Sequence, residues 1–110
     1  MKITKTTQQG VVICHINGDI DINSSPDIRK TFAELTASYQ KKIVINLAEV
    51  SYIDSSGLAT LVEMLKKIKI YGGGLRLSNL ADKVKALFEI TKLEKIFQIY
   101  DTAEQAVAGF

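Results

Sequence analysis

The chain is short of several residue types, and each shortage removes a class of protein. There is one cysteine, Cys14, so no internal disulfide can staple the fold. There is one histidine, His15, inside a β-branched stretch, which leaves a nucleophilic triad with a single poorly placed candidate base. Charge is nearly balanced, with 14 Lys and Arg against 12 Asp and Glu, and a net +2 calls for neither nucleic acid nor a lipid surface as partner. No apolar run approaches the roughly 20 residues of a membrane-spanning helix, so direct membrane insertion is not expected. The leading MKITKTTQQG lacks the apolar centre of a signal peptide, and a cytoplasmic location is expected.

What remains is a globular composition, 46% hydrophobic and 24% charged over 110 residues, enough for one modest core and one domain spanning residues 1–110. Lys2 to Thr7 reads as an edge strand and Val11 to Ile16, between Gly10 and Gly18, as a strand proper. Ser24-Ser25-Pro26 opens a helix, since serine can cap it and proline fits the first helical position. Ile28, Phe32, Leu35 and Tyr39 recur along its apolar face, so the helix is expected to run to about Tyr39. Ile43 to Leu47 is the short, nearly continuous apolar run of a strand buried on both faces, with Val50 to Ile53 extending or following it.

From Leu58 the apolar positions Leu61, Val62, Leu65 and Ile68 predict a second helix. Thr60, Glu63, Lys66, Lys67 and Lys69 fall on its outer face, with Glu63 and Lys67 at pairing distance. Gly72-Gly73-Gly74 stops it. A strand over Leu75 to Leu77, a helix carrying Leu80, Val84, Leu87 and Phe88, and a brief apolar segment from Ile96 to Ile99 follow. Thr102 and Gln105 form a capping box for a last helix with Ala103, Ala106, Val107 and Phe110 on one face. Strands alternating with helices give an α/β fold, a central mostly parallel mixed sheet of four to five strands with about four helices.

The chemistry gathers at Asp54-Ser55-Ser56-Gly57, where the strand region turns directly into a helix. The first helical N–H groups there need acceptors, and any of the three polar side chains can cap. Three candidates exceed what one cap requires. The carboxyl ends of strands are where sites collect in such sheets, and a helix N-terminus tolerates an anion, so an exposed serine here is a plausible phosphoacceptor. A hydrolase reading lacks its base, and the serine is not in a G-x-S-x-G elbow. Asp19-Ile20-Asp21-Ile22-Asn23 begins like a calcium loop but has Ser24 where glycine and Lys30 where glutamate belong. The two aspartates after a strand also echo a magnesium-dependent phosphatase, for which the remaining acidic and lysine groups have no room, so no metal and no cofactor are expected. Gly72-Gly73-Gly74 follows a helix and lacks the G-K-[ST] of a phosphate-binding loop.

Together, "GDIDINSSP", "VINLAEVSYIDSSGL" and "GGGLRLSNLADKVKALFEITKLEKIF" resemble the STAS family, specifically the stand-alone anti-sigma factor antagonists of bacteria, over nearly the whole chain. The resemblance implies a small STAS-like fold and a partner-switching regulator rather than an enzyme. By it, Ser55 is the residue phosphorylated by an anti-sigma factor that is itself a serine kinase. The unphosphorylated form binds that kinase and frees the sigma factor, and a phosphatase of the PP2C type restores binding. The docking surface it implies comprises Asp21, Asn23, Ser24, Asp54, Ser55, Ser56, Gly57 and Leu58. Gly57-Leu58-Ala59 departs from the Gly-Leu-Gly of many such antagonists, a change expected to adjust helix packing near the site. The runner-up is an accessory STAS subunit of a lipid transporter of the ABC type or of a stress-signalling assembly, and a nucleotide-binding enzyme comes third.

Overall fold

The computed structural model describes residues 1–110. The chain begins with an antiparallel hairpin, β1 (Lys2–Gln8) and β2 (Val11–Asn17), joined by Gln9 and Gly10. Both turn residues have positive φ, 54° and 78°, the handedness that matches the twist of the flanking strands. Then follow α1 (Ser25–Ala37), β3 (Lys42–Glu49), α2 (Ser55–Ile70), β4 (Gly74–Ser78), α3 (Asp82–Ile90), a short 3₁₀ turn (Leu93–Lys95), β5 (Gln98–Tyr100) and α4 (Ala103–Ala108). The mixed five-stranded sheet keeps sequence order, β1-β2-β3-β4-β5, and every pair after the hairpin is parallel.

This order decides where the helices go. Crossovers between parallel neighbours are almost always right-handed, so stepping along the sheet in one direction lays α1, α2 and α3 on the same face. They share one core of 21 buried residues, in which Ile28 and Phe32 of α1, Leu61 and Ile68 of α2 and Phe88 of α3 meet Cys14, Ile45 and Leu77 of the sheet. Burying each such side chain contributes about 1.5–3 kcal/mol, so this layer dominates stability. Only α4 covers the opposite face, where Ala106 and Val107 pack on Val11, Ile13 and Val44. Arg76 holds α4 in place by donating to the Ala106 carbonyl at 2.9 Å, with its guanidinium 4.0 Å from the centre of the Phe110 ring.

Several sequence expectations need correction. The first helix ends at Ala37, and Tyr39 lies beyond it, exposed and in a left-handed conformation with φ 55°, because the chain must reverse toward β3. Thr60 does not face outward but is 1% exposed, buried where α2 packs on α1. Glu63 pairs with Arg29 across the two helices at 3.1 Å and not with Lys67. Ser24 occupies the capping position of α1 without capping it, since its hydroxyl is engaged in the preceding loop. Leu80 precedes α3, Ile96 is exposed before β5, and Phe110 lies past the end of α4.

Candidate functional site

α2 begins at Ser55 because Asp54 caps it: Asp54 is extended, and its Oδ1 accepts the Gly57 N–H at 2.8 Å. The other oxygen is not idle. Oδ2 accepts the Ile22 N–H at 3.2 Å, so one carboxylate joins the start of α2 to the loop between β2 and α1. The two segments also meet through their backbones in a parallel bridge between Ile20 and Ile53. There the Ile20 N–H reaches the Tyr52 carbonyl at 3.0 Å and the Asp54 N–H reaches the Ile20 carbonyl at 3.1 Å.

This close approach depends on Gly57. A β-carbon at that position would stand 2.5 Å from the Ile20 carbonyl oxygen and 2.7 Å from its Cγ2. The loop is ordered from within as well: Asp21 Oδ1 accepts the N–H groups of Asn23 at 2.9 Å and Ser24 at 3.0 Å. The Ser24 hydroxyl donates to the Asp19 carbonyl at 2.8 Å and accepts the Asp21 N–H at 2.9 Å. Ser25 donates to the Asp21 carbonyl at 2.7 Å, and its oxygen lies 3.2 Å from that of Thr60, which itself donates to the Ser56 carbonyl at 2.9 Å. Buried hydroxyls thus tie the first turns of α1 and α2 together.

Ser55, the first residue of α2, is exposed, and its hydroxyl makes no hydrogen bond within the chain. The N–H groups of Ser55 and Ser56 also have no acceptor in the protein, so the positive end of the helix is open toward solvent beside that hydroxyl. Asp21, Asn23, Asp54 and Ser56 reach the same surface, whereas Ser24, Gly57 and Leu58 are buried and shape it from beneath. Ala59, where the sequence suggested an adjustment of helix packing, is exposed, so its methyl group forms part of the surface beside the site. Not legible in the sequence as site residues were Ile22 and Tyr52, both exposed, one on each of the two segments that meet at this site. Their signal was apolar residues breaking the pattern of otherwise polar or buried neighbours.

The chemistry available here is that of a surface hydroxyl. His15 lies on the α4 side of the sheet, 3.3 Å from the Thr6 hydroxyl, so Ser55 has no imidazole to activate it. Asp19, Asp21, Asp27 and Asp54 have no cationic partner, the two ion pairs being Lys5 with Glu34 and Arg29 with Glu63. The region is therefore acidic, yet no three His, Cys, Asp or Glu side chains come close enough to hold a metal ion.

Comparison with known proteins finds that the STAS domain matches residues 2–106. The anti-sigma-B factor antagonist of Bacillus subtilis (strain 168) is 39% identical over 93 residues, 84% of each chain. The crystal structure of an anti-sigma factor antagonist from Mycobacterium paratuberculosis superposes with a TM-score of 0.89 at 22% identity, covering 98% of this chain and 92% of that one. The Bacillus cell fate determinant SpoIIAA in its phosphorylated form gives a TM-score of 0.74 at 18% identity, with 97% of both chains covered.

Proposed function

The chain belongs to the STAS domain family, and on that premise we propose that it is an anti-sigma factor antagonist that changes partners with the phosphorylation state of Ser55. The observation that carries this reading is an exposed, unbonded serine hydroxyl at the open N-terminus of α2, on a surface whose supporting loop is already ordered. Such a protein regulates by binding and carries out no reaction of its own.

A kinase can reach the Ser55 hydroxyl without opening the fold. The phosphate adds about −1.5 to −2 charges, which the helix N-terminus and the two open N–H donors accommodate. Asp54 works against this, but it lies at the surface, where water screens the repulsion. The scaffold is therefore expected to survive phosphorylation while the docking surface changes. An anti-sigma factor seated closely on the bare hydroxyl would meet a bulky, strongly hydrated dianion instead, and crowding with the cost of desolvating it can remove several kcal/mol of affinity. In this reading the unphosphorylated form occupies the anti-sigma factor, which is a serine kinase, and releases the sigma factor. A PP2C-type phosphatase regenerates it.

Intact mass after incubation with ATP and the purified anti-sigma kinase tests the assignment. Wild type is expected to gain one phosphate and lose binding, while Ser55→Ala gains none and stays bound. Equal phosphorylation of Ser55→Ala would refute it.

A further inference from the structure

Ile22 is chemically out of place. It is 68% exposed in a loop where Asp19, Asp21 and Asn23 are polar. Single exposed apolar residues are ordinary on protein surfaces, but this one is held in position. Its N–H is bound to Asp54 Oδ2 at 3.2 Å, and the following two N–H groups are fixed by Asp21. Tyr52, 53% exposed, belongs to the paired segment, where its carbonyl accepts the Ile20 N–H. Two exposed side chains with apolar bodies thus emerge from hydrogen-bonded backbone, one from each of the two segments that Asp54 and the Ile20–Ile53 bridge join. Presenting them to a partner requires little further loss of loop entropy, the usual cost that erodes affinity. The same two segments carry the carboxylates of Asp19, Asp21 and Asp54, none of them in an ion pair.

We infer that Ile22 is the apolar anchor of the Ser55 surface, received by a pocket on the anti-sigma factor that is rimmed by arginine or lysine, with Tyr52 flanking it. The inference rests on the functional reading above and names what that reading leaves open: which side chain supplies affinity and what chemistry receives it. The carboxylate collar sets orientation and encounter rate, and the buried isoleucine sets residence time. Phosphate on Ser55 then acts one residue from Asp54, whose carboxylate holds the anchor.

Surface plasmon resonance with the purified anti-sigma factor tests this, using unphosphorylated wild type, Ser55→Ala, Ile22→Ala, Ile22→Asn and Ile70→Ala. Ile70 is a fitting control because it is 84% exposed at the other end of α2, roughly 22 Å from Ser55 along the axis. Both Ile22 variants are expected to raise Kd by roughly 10- to 100-fold, mostly through faster dissociation, with an unchanged thermal midpoint. Ile70→Ala is expected to bind like wild type, and added salt to weaken wild type and Ile22→Ala by similar factors. If wild type and Ser55→Ala bind but the Ile22 variants bind as tightly, the anchor is refuted and the functional reading stands. If neither wild type nor Ser55→Ala binds, the functional reading falls and takes the anchor with it.

Discussion

Replacing Gly57 with alanine sets two effects of opposite sign against each other. Gly57 is the third residue of α2, and glycine within a helix costs up to about 1 kcal/mol relative to alanine, so propensity alone predicts a more stable protein. Packing predicts the reverse. The new methyl group would lie 2.5 Å from the Ile20 carbonyl oxygen, 2.7 Å from Ile20 Cγ2 and 2.9 Å from Ile53 Cγ2, where ordinary contacts need about 3.5 Å or more. The first turn of α2 must therefore move by roughly 0.5–1 Å, against hydrogen bonds that pin it there. The Asp54 N–H holds the same Ile20 carbonyl at 3.1 Å, and the Gly57 N–H holds Asp54 at 2.8 Å. Overpacking costs about 1–3 kcal/mol, and weakening these bonds about 1 kcal/mol more, so a net loss of about 2 kcal/mol is expected. For a domain of this size that lowers the thermal midpoint by roughly 8–16 °C. Urea denaturation followed by circular dichroism measures it, with Ala59→Gly as a control in the same helix, where exposure leaves propensity alone to act. A Gly57→Ala protein as stable as wild type, or more so, would refute the close-packing argument.

Asp54→Ala removes the α2 cap and the tie to Ile22 together and is expected to cost about 1–2 kcal/mol in urea denaturation. Amide exchange should quicken at Ile22 and Gly57 and stay unchanged in β3. Cys14 is 0% exposed, and burial pushes its thiol from 9.0 up to about 11, so it resists alkylation in the native state at mildly alkaline pH and reacts only on unfolding. The unfolded chain loses that proton first as pH rises from about 9 to 11, so the stabilisation present below pH 9 is lost across this window, at no more than about 1.4 kcal/mol per pH unit. Cys14→Ala should flatten the urea-midpoint profile there, and an unaltered slope would count against the burial argument.

The elements were legible where one local rule acted alone. The apolar run Ile43 to Leu47 and the stripe Leu61, Leu65, Ile68 are periodic signals, and the structure has a strand and a helix at both. Thr60 was misplaced because outward and inward positions of a helix are assigned by side-chain polarity, and a hydroxyl bonded to its own helix and to Ser25 can be buried. Glu63 was misassigned because Arg29 is distant in sequence and only tertiary packing brings it near. At the site, capping at Asp54 followed from residue type. The second duty of that carboxylate, toward Ile22, did not, because it depends on how β2 and β3 are paired.

The double engagement of Asp54 also bears on how such surfaces diverge. Residue 54 cannot change without disturbing both segments, and residue 57 accepts a side chain only at a cost in stability, so neither varies freely as a lineage acquires new partners. Ile22, Asn23 and Ala59 point outward and lack those duties. Duplicated copies within one cell would be expected to insulate their circuits from one another at these three positions, while the frame beneath them stays frozen.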